Sequence, residues 1–164
     1  MKVLKWLDKH LEEIMLCVLL AAIVVIMLYQ IVRRYVFNSS LSWSEEFCRY
    51  CFIWFMFVAF SYSIRLKTDL RVDAVLGLLP AGVRRAVDFF DLLVSLVVTV
   101  FLFYNSFGTV AYMMKTGETS SGLHLPMYYV YLSMVVGFGL ASIRSVQRVI
   151  MEIQNLRKPE EETK

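Results

Sequence analysis

The sequence predicts an all-α integral membrane protein with four transmembrane helices, both termini cytoplasmic, and short amphipathic helices at the interface. Two observations carry this prediction. Four apolar stretches, residues 14–32, 47–64, 89–114 and 125–143, each approach or exceed the roughly 18–20 residues that a helix needs to cross a bilayer. Lys and Arg also sort onto alternate sides of those stretches. With the N-terminus inside, only Arg33, Arg34, Arg49 and Lys115 fall outside, and the other thirteen of the 17 basic residues fall inside. Of 164 residues, 59% are hydrophobic and 19% charged, which leaves little chain for a soluble domain. The net charge of +3 is spread over loops and makes no nucleic-acid footprint.

The elements follow in order. Val3, Leu4, Leu7 and Leu11 recur at helical spacing, with Lys5 and Lys9 elsewhere on the wheel. Residues 2–10 therefore read either as an amphipathic helix at the interface or as an extension of the first span. Lys2, Lys5 and Lys9 before an apolar run resemble a leader, but Glu12 and Glu13 interrupt the entry and no small-x-small site follows, so the span is expected to be retained. The spans are placed at 11–32, 47–64, 87–114 and 125–146, within one membrane domain covering 1–154. Arg33-Arg34-Tyr35 ends the first span, and Asn38-Ser39-Ser40 makes an outer turn. Ser42 or Ser44 can cap the second span, with Glu45 and Glu46 in its first turn, where acids suit the positive helix end. Between spans two and three, Val72, Val75, Leu76 and Leu79 predict a short interfacial helix over 72–79, stopped by Pro80. Arg84 and Asp88 are spaced to pair as span three begins. The Gly- and Ser-rich outer loop, residues 115–126, is expected to be mobile. Residues 155–164 are expected to be a disordered cytoplasmic tail.

The densest polar group is Trp43, Glu45, Glu46 and Arg49, facing Arg34 across the first outer turn. Ionisable groups at the hydrocarbon edge are costly unless paired or facing water or protein. The group reads as a docking surface for another membrane subunit, as an internal network joining spans one and two, or as both. Lys115, Glu118, Ser120 and Ser121 fall in the second outer segment, open to a soluble protein outside the membrane or serving only as a linker. Asp88 and Asp91, one turn apart, either bind cations or are neutralised by Arg84 and Arg85. Cys48-Arg-Tyr-Cys51 has no second ligand pair and reads as packing residues.

No enzyme, cofactor or metal site is expected. His10 and His124, the only two His, fall on opposite sides of the bilayer and do not suit one haem. There is no Gly-rich phosphate loop and no Ser/His/Asp set.

Arg34-Tyr35-Val36-Phe37-Asn38, then Trp43-Ser44-Glu45-Glu46-Phe47-Cys48-Arg49, resemble the R-Y-x-F and W-x-E-E-x-x-R segments of the small membrane subunit of tripartite ATP-independent periplasmic (TRAP) transporters. Ser120–Pro126 is similar to that family's S-x-x-L-x-L-P segment. Asp69-Leu70-Arg71-Val72-Asp73 stands where the family commonly has H-I-x-V-D, with Asp69 in place of His. The resemblance implies a bacterial inner-membrane protein acting in sodium-coupled, binding-protein-dependent import of organic-acid anions such as sialic acid or dicarboxylates. It implies two protein partners besides the lipid bilayer: a large elevator-type membrane subunit, for which this chain is a scaffold, and a periplasmic substrate-binding protein. A stand-alone small transporter acting as an oligomer, and a redox-complex anchor, are the alternatives.

Overall fold

A computed structural model describes residues 2–39, 41–66 and 81–156. They form four helices: α1 (Lys2–Val36), α2 (Ser42–Leu66), α3 (Ala81–Thr116) and α4 (Tyr128–Leu156). All four are long and apolar enough to cross a membrane, over His10–Val36, Ser42–Leu66, Phe89–Thr116 and Tyr128–Gln154. Each satisfies its own backbone hydrogen bonds, which is the requirement that hydrocarbon imposes.

The helices stand in a row. α1 packs on α2, α2 on α4, and α4 on α3, while α1 and α3 share no comparable interface. α4 is therefore an interior helix, and α1 and α3 are edges. The terminal end of the row is where α1 begins and α4 finishes. The far end carries residues 37–39 and 41 and the loop 117–127.

The interior mixes small residues with a few aliphatic ones, Val58, Ile64, Leu92, Val110 and Val130. Ser61, Ser133 and Ala141 are fully or almost fully buried, as are Thr99, Ser106 and Ser145. Small side chains let helices approach closely where lipid supplies no hydrophobic drive for association. At Gly137 of α4, an added Cβ would lie 2.5 Å from Phe57 Cβ and 2.8 Å from the Phe57 carbonyl oxygen, so the α2–α4 crossing demands glycine. The edge of Phe138 meets the ring of Phe57 at 5.3 Å beside it. Across α3–α4, Thr99 Oγ1 donates to Ser145 Oγ at 3.5 Å.

Several boundaries differ from the sequence expectation. Residues 2–10 run without a break into α1. α2 begins at Ser42, one turn before the apolar run, because Glu45 and Glu46 are accommodated within its first turns. α4 begins at Tyr128 rather than near 125, since Pro126 closes a turn in which the Tyr129 and Val130 amides bond the Pro126 and Met127 carbonyls. α4 also runs on through Asn155 and Leu156, where the sequence predicts the tail to begin. Ser44 does not cap backbone amides. It is buried, and its hydroxyl donates to the Leu41 carbonyl at 2.7 Å. The proposed helix 72–79, Asp69, the Arg84–Asp88 pair and residues 157–164 lie outside the described residues or side chains.

Candidate functional site

The terminal end is organised by one carboxylate. Glu12 of α1 is 0% exposed. Its Oε1 accepts from Arg144 Nε of α4 at 2.7 Å and from Ser61 Oγ of α2 at 3.0 Å, and its Oε2 accepts from Arg65 Nη1 of α2 at 3.3 Å. Three helices thus meet on one side chain. A carboxylate removed from water needs such partners, because desolvation is repaid only by close counter-charges and filled lone pairs. Arg144 Nη1 is held by Gln147 Oε1 at 2.8 Å, and Arg148 Nη1 donates to the Ile64 carbonyl at 3.1 Å, closing the end of α2 against α4. Next to this core, Tyr62 Oη donates to Glu13 Oε1 at 3.2 Å, and the Arg65 guanidinium lies 5.8 Å from the Tyr62 ring centre.

Sequence reasoning did not find this cluster. It read Glu12 as an interruption of the span entry and Arg65 and Arg144 as topology markers. A usable signal was present, however. The charge count put Arg65 and Arg144 on the same side as Glu12, and an acid at the edge of an apolar span calls for a partner.

The far end is organised by a second carboxylate in a different way. Glu46 Oε2 accepts from Ser120 Oγ at 2.6 Å, the Leu123 amide at 2.9 Å and the Gly122 amide at 3.0 Å, while Oε1 accepts from Ser121 Oγ at 2.9 Å. Gly122 permits this approach, since a Cβ there would stand 3.0 Å from Glu46 Oε2. The loop also pairs with itself. The Ser120 amide bonds the Leu125 carbonyl and the Met127 amide bonds the Glu118 carbonyl, each at 2.9 Å, flanking a bridge between Thr119 and Pro126. Left-handed backbone at Gly117 (φ 64) and His124 (φ 52) turns the chain at each side. The Gly- and Ser-rich composition that suggested a mobile loop instead supplies compact donors for one carboxylate.

The residues singled out from sequence are therefore split. Glu46 and the hydroxyls of Ser120 and Ser121 are engaged with each other. Glu45 accepts from Gln30 Nε2 of α1 at 3.1 Å and makes no ion pair with Arg49 among the described residues. Arg34 and Glu45 line a groove of about 320 Å³ with Met27, Gln30, Ile31 and Tyr35. Arg49 is exposed at the rim of a second groove of about 310 Å³ between α2 and α4, lined mainly by Tyr50, Ile53, Phe57 and Met134. Trp43 is half-buried in the first turn of α2, and Lys115 and Glu118 are exposed. Arg33 turns back on its own corner, with Nη2 3.4 Å from Ser39 Oγ and its guanidinium 5.6 Å from the Phe37 ring centre. Cys48 is buried and its thiol points at the Ile23 carbonyl at 3.9 Å; Cys17, Cys48 and Cys51 are all free thiols. His10 and His124 stand at opposite ends of the row. Asp91 lies on α3.

The two segments that carry the resemblance, W-x-E-E-x-x-R on α2 and S-x-x-L-x-L-P in the loop, meet in space through Glu46. A family model described as the DctQ component of tripartite ATP-independent periplasmic transporters matches residues 23–155. The chain belongs to this family. It is 31% identical over 130 residues to a putative TRAP transporter small permease protein of Haemophilus influenzae, covering 76% of this chain and 78% of that one. It is 28% identical to the C4-dicarboxylate TRAP transporter small permease protein DctQ of Rhodobacter capsulatus, over 66% of this chain and 48% of the relative. It is 27% identical to the isethionate TRAP transporter permease protein DctMQ of Oleidesulfovibrio alaskensis, covering 93% of this chain but 25% of that protein. The chain thus spans about a quarter of the DctMQ relative. As a DctQ-family protein with four such helices, it is a multi-pass inner-membrane protein of transport rather than an enzyme. The family match takes in Glu46, its loop, Arg65 and Arg144; Glu12 lies just ahead of it.

Proposed function

We propose that this chain is the scaffolding small subunit of a sodium-coupled TRAP transporter that imports an organic-acid anion. In this reading a large elevator-type permease carries the anion and the sodium, and a periplasmic protein delivers the anion. This chain holds the fixed frame, with both termini on the cytoplasmic side. One observation carries the reading: nearly the whole chain aligns with only a quarter of the DctMQ permease, so the remaining three quarters of that relative correspond to something this chain lacks. The SiaT relative of Haemophilus influenzae, a sialic acid TRAP transporter permease, repeats the pattern, with the aligned region taking up 16% of it.

The geometry supports a frame. Glu12 locks three helices at one end and Glu46 locks the hairpin at the other, so the row is braced at both membrane faces. Arg34, Trp43, Glu45 and Arg49 are the residues proposed to meet the large permease at the far end; Glu46 acts there through the loop it holds. Lys115 and Glu118, with the loop carrying Ser120 and Ser121, are proposed to meet the binding protein, where exposed charges steer a transient encounter.

Co-purification tests the assignment. Glu45→Ala and Arg49→Ala, each expressed at wild-type level, are expected to lose the large permease, and retention of the partner by both variants removes the far-end corner from the interface. A photo-crosslinker at Glu118 is expected to capture the binding protein from the periplasmic side during turnover. Labelling of that position only from the cytoplasm contradicts the orientation.

A further inference from the structure

The seam between α1 and α2 at the far end holds an amide that this chain does not satisfy. Gln30 is 8% exposed, and its Oε1 is buried with no donor among the described residues. An unmatched buried acceptor costs free energy, and hydrocarbon offers it no donor. The other end of the amide sets its orientation. Nε2 donates to Glu45 Oε1 at 3.1 Å, and turning the amide over would set Oε1 against that carboxylate. Gln30 and Glu45 both line the groove of about 320 Å³ that Met27, Ile31, Arg34 and Tyr35 complete.

The charges of this groove are open as well. Glu45 and Arg34 are exposed, and neither makes an ion pair among the described residues. Both lie within apolar spans, where an ionisable side chain calls for a partner. Gln30 stands about 9 Å inside the end of the α1 span, at roughly 1.5 Å of rise per residue. A soluble protein does not reach that depth, and a lipid amine stays nearer the surface with its headgroup. A neighbouring membrane helix reaches it from the side. The group that suits a carbonyl oxygen beside a carboxylate carries several N–H donors and a positive charge, as an ammonium or a guanidinium does.

We propose that this groove receives a Lys or Arg side chain from a transmembrane helix of the large permease, which donates to Gln30 Oε1 and Glu45 together. The proposal deepens, and rests on, the reading that the large permease meets the corner carrying Arg34 and Glu45. It adds Gln30, which the sequence did not mark, and it fixes the chemistry of the partner group. Gln30 Oε1 is then a cost in the lone subunit and a contact in the complex.

The test purifies the complex through a tag on this chain and melts the subunit alone beside it. Gln30→Met removes the orphaned acceptor at similar volume. It is expected to leave the melting temperature of the subunit alone unchanged or raised, yet to lower the co-purified large permease about tenfold. Gln30→Glu still offers an acceptor to a cation and is expected to hold the permease. Gln30→Lys sets a like charge against it and is expected to lose at least as much as Gln30→Met. A benzophenone side chain at Ile31, an exposed position in the groove, is expected to crosslink to the large permease in membranes. Capture at the wild-type level by Gln30→Met or Gln30→Lys, or a crosslink only to a second copy of this chain, overturns the proposal. So does a lower melting temperature of the Gln30→Met subunit alone, which would mark the donor as one of this chain's own groups, such as Arg34. Loss of the permease with Glu45→Ala and Arg49→Ala in the same series keeps the far-end contact standing in each of those cases. A wild-type chain that captures no large permease overturns both.

Discussion

Glu12 and Glu46 each join separate parts of the chain through one carboxylate, yet Glu12 is met by two guanidinium groups and a hydroxyl, and Glu46 by two hydroxyls and two backbone amides. The difference follows from where each sits. Glu12 has no access to solvent, so its charge must be balanced inside the protein. Glu46 gathers a loop whose donors are neutral and, Ser120 apart, exposed or half-buried, so water can replace the carboxylate at most of them. Loss of the first leaves buried cations behind, whereas loss of the second leaves groups that solvent can satisfy. The terminal end is thus a point of stability, and the far end a point of local order.

The comparison breaks most readily at Glu12. Glu12→Ala is expected to destabilise the subunit by about 3–5 kcal/mol, the usual cost of removing one partner from a buried ion pair. Thermal melting in detergent reads this directly. The double variant Glu12→Leu/Arg144→Met is expected to recover part of the loss, because it also removes the guanidinium that Glu12 bonds at 2.7 Å. A double variant no better than Glu12→Ala contradicts the charge argument. Next in size is Gly137→Ala, where the added methyl collides with the Phe57 backbone; overpacking of this kind costs about 1–3 kcal/mol. A melting temperature unchanged in that variant contradicts the close α2–α4 crossing. The smallest effect on melting is expected from Glu46→Ala, at less than half the shift of Glu12→Ala. Its signature is elsewhere: a cysteine placed at Leu123, a half-buried position whose backbone amide alone joins the clasp, is expected to react faster with a polar thiol reagent once Glu46 is gone. Equal reactivity in both backgrounds contradicts the clasp.

How much of this was legible beforehand depends on the physics involved. Helix number and rough extent follow from apolar run length, which acts locally and reads directly from sequence. The cap position differs because Ser44 falls inside the first turn of α2, where its hydroxyl bonds the Leu41 carbonyl instead of amides. The loop at 117–127 was read from composition alone, and composition does not reveal that a carboxylate more than 70 residues earlier will collect its donors. The row itself, with α4 interior and α3 at an edge, depends on which helix faces carry small residues. Ser61, Ser133 and Ser145 held that information, but each is unremarked among many serines until its partners are known. Glu46 reads from sequence as part of a docking surface or of a network joining spans one and two; its bonds to residues 120–123 belong to neither reading.

The central claim is that the frame carries no anion without its larger partner. Proteoliposomes holding this chain alone, and others holding it with the large permease of the same system, can be compared for sodium-driven uptake with the periplasmic binding protein present. Radiolabelled sialic acid, C4-dicarboxylates, isethionate and ectoine serve as the panel, since relatives are named for each. Uptake of at least one of these only when both membrane subunits are present is the predicted result. Sodium-dependent uptake by this chain alone would contradict the account.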